Sequence, residues 1–136
     1  MQNTENTKMY SPDQIAEDGG NAVIREDLER LVQKDLPYER MKDQSIIITG
    51  ATGLVGSMLV RGLAAINRHH KLNMTIMPMV RSLEKAETVF GALLHRSDIR
   101  VICSDITRPI PIEDPVDFII HGASMTASRD FVTKPV

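Results

Sequence analysis

Tryptophan is missing from these 136 residues, tyrosine and phenylalanine together make up 4%, and there is a single cysteine. So few rings leave little for bases to stack on, and a net charge of -2 with a pI near 6.1 gives no basic field for a polyanion. No nucleic-acid partner is expected. Cys103, being alone, cannot close an internal disulfide, in keeping with a reducing compartment. A long apolar run is also missing. The uncharged residues 45 to 60, "SIIITGATGLVGSMLV", span sixteen positions but include three glycines and four hydroxyl side chains. That is too short and too polar for a bilayer, which needs about twenty apolar residues. The opening "MQNTENTKMYSPDQIAEDGG" has neither the basic start nor the apolar run of a secretory signal, so the cytoplasm is the expected location.

What is present is the composition of one globular domain, with 42% hydrophobic and 25% charged residues. Residues 1–20 are polar and read as a mobile leader. In the segment 21–43, Ile24, Leu28, Leu31 and Val32 fall at helical spacing and predict a helix from Ala22 to about Lys34, followed by a linker. From Gln44 onward strands and helices alternate. "SIIIT" predicts a buried strand, and residues 54–68 a helix with Val55, Met58, Leu59, Gly62, Leu63 and Ile66 on its inner face. "LNMTIMPMV" predicts a second strand with a bulge at Pro78, "SLEKAETVFGALLH" a helix, "IRVICS" a third strand and "VDFIIHG" a fourth. This rhythm predicts an α/β fold: a Rossmann-type parallel sheet with flanking helices, limited to the first βαβαβ half plus a fourth strand and preceded by the N-terminal helix.

Gly50, Gly53 and Gly56 are spaced G-x-x-G-x-x-G directly after a strand and at the opening of a helix. A phosphate approaching such a turn needs backbone N–H groups unobstructed by Cβ atoms, with the positive end of a helix behind them. Gly50 and Gly53 would serve the turn and the close approach, and Gly56 the packing of helix on strand. A tight turn formed for packing alone is the other reading, and the strand before and amphipathic helix after favour dinucleotide binding.

Four segments in order, "TGATGLVG", "VRSLEKA", "SDITRPI" and "VDFIIHGASMTA", resemble the N-terminal part of the extended short-chain dehydrogenase/reductase family, the NAD-dependent epimerases and dehydratases of nucleotide sugars. The resemblance covers residues 44–136 and extends to UDP-glucuronate decarboxylase-like proteins. It implies an NAD or NADP cofactor, with Thr52, Gly53, Leu54 and Val55 facing the pyrophosphate. It sets Asp105 and Ile106 against the adenine, a turn cap being the other reading of Asp105. Ala123 and Ser124 would lie beside the ribose and nicotinamide, and Thr126 stands where some epimerases carry a lysine. At the tip of the second strand, where an acid would pair with the ribose hydroxyls of NAD, this chain has Arg81, a group suited to a 2'-phosphate. Arg81 is equally readable as a solvated strand end or as stacked on the adenine, and the choice between NAD and NADP stays open.

Catalysis in that family depends on a Tyr-x-x-x-Lys pair on a later helix, where the lysine lowers the tyrosine pKa. The one match, Tyr38 and Lys42, precedes the first strand and reads as a chance spacing on a surface linker. His69 and His70 read as loop residues without a metal cluster, and Cys103 as a small buried strand residue. The expected reading is therefore the cofactor-binding part, over residues 44–136, of a nucleotide-sugar enzyme that is catalytically incomplete as given. The family homodimer interface would be largely absent, since one of its helices would start only near Phe131 to Val136. The alternative is a stand-alone nucleotide-binding module without catalysis.

Overall fold

The protein's structure, a computed structural model, describes residues 9–105 and 107–122. Four strands, β1 (Ser45–Thr49), β2 (Thr75–Val80), β3 (Ile102–Cys103) and β4 (Phe118–His121), form one sheet in the order β3-β2-β1-β4. Every pairing is parallel. With its flanking helices this is an α/β fold of the expected kind, consistent with a partial Rossmann-like fold. Three consecutive isoleucines suit β1 to a central position, because a parallel strand is buried on both faces. Ile46 and Ile48 meet the helices, while Ile47 joins Met77, Met79 and Ile102 on the opposite face. That second face carries no helix among the described residues and is covered by Ile110, Ile112 and Val116 of the segment between β3 and β4.

Four α-helices occupy the first face: α1 (Pro12–Asp18), α2 (Ala22–Gln33), α3 (Leu54–His70) and α4 (Leu83–Phe90). The helix expected from Ala22 is α2, capped by the Asn21 side chain, which accepts from the Val23 and Ile24 N–H groups. Helix α3 runs to His70, so His69 and His70 close its last turn and are not loop residues. Arg68, in that same turn, suits the negative end of the helix dipole. Val55, expected on the inner face of α3, is 70% exposed.

Pro12–Asp18 lie within what composition assigned to a leader, yet they form a helix with a Ser11–Gln14 capping box and a left-handed Gly19 behind it. The physical reason is ionic. Glu17 and Asp18 are almost wholly buried, and the cations that hold Glu17 lie far away in sequence. Glu17 accepts from Arg68 at 2.7 and 3.0 Å and from Arg96 at 2.5 Å, while Asp18 accepts from Arg25 at 2.7 Å. The buried Arg61 donates to the backbone carbonyls of Glu17 at 2.7 Å and Val89 at 2.6 Å, tying α1, α3 and α4 together. Burial lowers the Arg61 pKa, and the nearby Asp18 opposes the shift.

Pro78 makes no bulge. Ser45 to Ile48 pair one-to-one with Thr75 to Pro78, and both Ile76 opposite Ile99 and Met79 opposite Ile102 keep the same offset to the third strand. Ile76 donates to Asp98 and accepts from Arg100, so its backbone faces β3, and Pro78, two residues on, faces the same way. The proline therefore costs one bond to the edge strand and leaves the register intact.

Removing the Glu17 carboxylate takes from the partly buried Arg68 its carboxylate partner and from Arg96 one of its two. Glu17→Ala is expected to lower the unfolding free energy by about 3 kcal/mol, measured by urea denaturation. Acid should weaken the fold in two stages. Burial, then His70 and Arg68, lower the His69 pKa, so the stability carried by its neutral form is complete above the ordinary histidine range and is lost as pH falls through the lowered value. Burial works against the charge of Asp98, but bonds from Arg96 and Asn67 outweigh it and hold the carboxyl below the usual range. Its contribution is complete above the ordinary carboxylate range and disappears as pH falls through that lowered value. Melting temperatures measured from neutral pH downward should show both losses, and Asp98→Asn should remove the more acidic one.

Candidate functional site

A parallel sheet brings the C-terminal ends of all its strands to one edge. Here that edge gathers Thr49-Gly50, Arg81, Ser104-Asp105 and His121-Gly122. The chain steps outward from β1 to β2 to β3 and then crosses to the other flank of β1, so the strand order reverses between β1 and β4. In open α/β sheets the crevice beyond the strand ends at such a reversal is where ligands settle.

The glycine turn sits at that crevice. Gly50 takes the left-handed conformation, with φ of 63°. Gly53 donates to the Gly50 carbonyl at 3.1 Å and starts α3. Gly56 permits the closest approach of all, since a Cβ there would lie 2.1 Å from the Gly50 oxygen and 2.9 Å from its carbonyl carbon. At Gly53 the nearest atom to an added Cβ is the same oxygen at 3.3 Å, a tight contact that a shift of a few tenths of an ångström relieves. The roles expected of Gly50 and Gly56 thus have their geometric counterpart.

The start of α3 differs from the other helix starts. Ser11, Asn21 and Ser82 cap α1, α2 and α4 with side-chain oxygens, whereas Gly53 offers α3 none. The first internal bond of the helix is Ser57 N–H to the Gly53 carbonyl, at 2.9 Å. The N–H groups of Leu54, Val55 and Gly56 therefore have no acceptor among the described residues. There is no acid in the first turn of α3, and Leu54 is 86% exposed. Thr52 is half-buried beside this opening. Uncompensated donors at the positive end of a seventeen-residue helix can receive an anionic group.

Arg81 is exposed at the tip of β2, directly before Ser82, which caps α4. Asp105 accepts from the Thr107 N–H at 2.9 Å and from its hydroxyl at 3.0 Å. These bonds hold its carboxyl below the ordinary range, with smaller contributions from Arg81 and Arg108. One oxygen of Asp105 is thus a turn cap, the second of its two expected readings. Ile106, Ala123, Ser124 and Thr126 lie outside the described residues.

An unexpected feature joins β1 and the edge strand β4 at this end of the sheet. The Thr49 hydroxyl lies 2.9 Å from His121 Nδ1 and accepts from the Gly122 N–H at 3.0 Å. A Cβ on Gly122 would come within 3.0 Å of the Thr49 carbonyl oxygen. The signal was visible in the sequence, where both strands end in a polar residue followed by glycine: Thr49-Gly50 and His121-Gly122.

Two expectations about other residues need correction. Cys103 is exposed, because strand alternation turns Ile102 inward on the outermost strand and Cys103 outward. Tyr38 is buried and not on a surface linker. It sits in a short 3-10 turn, donates its hydroxyl to the Leu31 carbonyl and stacks on His70 at 4.4 Å between ring centroids. Among the described residues no group of His, Cys, Asp or Glu could hold a metal ion, and no helix is long and apolar enough to cross a membrane. In comparisons with known proteins, no family model matches the chain and no curated protein matches it.

The geometry separates two glycines that the spacing treats alike. Gly56→Ala forces a methyl group into backbone and should destabilise the protein by about 3 kcal/mol. Gly53→Ala, with ordinary helix-start dihedrals and a single 3.3 Å contact to relieve, should cost much less, about 1 kcal/mol. Chemical denaturation of the two variants side by side measures the contrast.

Proposed function

We propose that residues 44–136 bind NAD or NADP as the cofactor-binding part of a nucleotide-sugar epimerase or dehydratase, a class that includes UDP-glucuronate decarboxylase-like enzymes. The observation that carries this reading is the uncapped start of α3 above the Gly50–Gly53 turn, at the crevice where the strand order reverses. The N–H groups of Leu54, Val55 and Gly56 match the demand of a pyrophosphate for several donors and no nearby carboxylate. When bound, the nicotinamide would accept and return a hydride from a sugar carbon. Arg81 would meet the adenosine ribose, and its guanidinium favours a 2'-phosphate there. Asp105 keeps acceptor capacity for an adenine amine, since Thr107 engages only one of its oxygens. The Thr49 hydroxyl would fix Gly122, just before Ala123, Ser124 and Thr126, the residues that the resemblance sets beside the ribose and nicotinamide. The nucleotide sugar is the substrate of the enzyme as a whole, acting in the cytoplasm. Its proton transfer is not assigned to Tyr38 and Lys42, because the Tyr38 hydroxyl is buried and committed to Leu31.

Isothermal titration with NADP and with NAD tests this reading. Gly53→Val places its side chain over the donors, and it should weaken both cofactors at least tenfold, about 1.4 kcal/mol, while the melting temperature stays within a few degrees. Arg81→Ala should weaken NADP by about tenfold and NAD much less. Equal affinity of the wild-type and Gly53→Val proteins would remove the glycine turn from cofactor binding.

A further inference from the structure

A groove of about 330 Å³ runs between α2 and α3. Leu31 and Met58 line it, and Gly62 keeps it open, since a Cβ there would lie 3.1 Å from Leu31 Cδ2. Asp27, Arg30 and Lys34 stand along its α2 side. Positions 23, 27, 30, 31 and 34 share one helical face by their spacing of three and four. That face begins with Val23, 69% exposed, and continues through Asp27, Arg30 and Leu31 to Lys34. It is acidic toward its N-terminal half and basic toward its C-terminal half. Arg30 is paired with Glu26 on its own helix at 2.8 Å. Asp27 and Lys34 have no ion-pair partner among the described residues.

Such a polarised stripe is complementary to itself in one arrangement. A two-fold axis through its middle lays a second α2 antiparallel to the first, and Asp27 of each copy then faces Lys34 of the other. Seven residues, about 10 Å of helix, separate the two charges, and Arg30 and Leu31 flank the axis between the two ion pairs, with the charge of Arg30 met by Glu26 on its own helix. A parallel arrangement would set like charge against like. The antiparallel one also opposes the helix dipoles favourably.

We propose that this groove is the contact surface of a two-fold dimer, with a second copy of this chain as its occupant and Asp27–Lys34 pairs on either side of the axis. These helices differ from the pair through which the family resemblance implied dimerisation, and the proposal does not depend on cofactor binding.

Sedimentation velocity from about 5 to 200 μM, a range suited to a small interface, should show a monomer–dimer equilibrium that weakens in high salt. Asp27→Lys and Lys34→Asp should each raise the dissociation constant by about tenfold, and the double variant Asp27→Lys/Lys34→Asp should restore it. Both positions are exposed, so circular dichroism should show unchanged folding. A monomer across the whole range overturns the proposal, as does a dimer indifferent to the single reversals. A dimer that forms only after deletion of residues 1–8 also overturns it, in favour of that segment as the occupant.

Discussion

The approach of α3 to the end of β1 governs the geometry of this protein. Gly56 lies so close to the Gly50 peptide that not even a methyl group fits between them, and Gly50 itself must be left-handed for the chain to turn there. These two requirements aim the start of the longest helix over the edge of the sheet and leave Gly53 at its cap. The donors are the one part of the site that needs no side chain. They come from backbone, and the sequence requirement behind them is an absence of atoms.

The rest of the molecule supports that placement. The far end of α3 is held by Arg68, its flank by Arg61 and the approach to β3 by Arg96, and all three reach α1. The two N-terminal helices are thus clamped to the sheet's helix layer by charges that are mostly withdrawn from water. Such pairs are weak sources of net stability but expensive to break singly. Their effect is to fix how α1 sits, since a buried carboxylate bound to two guanidiniums has few alternative positions.

Much of this was legible from the sequence, for identifiable reasons. The order of strands and helices followed from apolar periodicity, because each strand carries Ile, Met or Val in runs and each helix repeats its apolar residues every three or four positions. The glycine turn was legible because glycine spacing after a strand reflects a steric demand. Helix α1 was not, because composition counts Glu17 and Asp18 as solvated, and their partners Arg25, Arg68 and Arg96 are up to 79 residues away. The same blindness to distant partners hid Tyr38, whose place in the core depends on His70 and Leu31. Pro78 misled in the opposite sense: proline in an internal strand suggested a bulge, but its missing N–H faces the short edge strand, where one lost bond is tolerated. The sequence also could not say which helix starts are capped, and that contrast now distinguishes the start of α3 from the other three.

We propose that the backbone N–H groups at the start of α3 receive a pyrophosphate, and amide-resolved NMR would report on those groups one by one. With ¹⁵N-labelled protein titrated with ADP-ribose, which carries the pyrophosphate without the nicotinamide, the Thr52, Gly53, Leu54, Val55 and Gly56 amides should shift and saturate together. Shifts confined to other parts of the chain, or none at millimolar ligand, would contradict it.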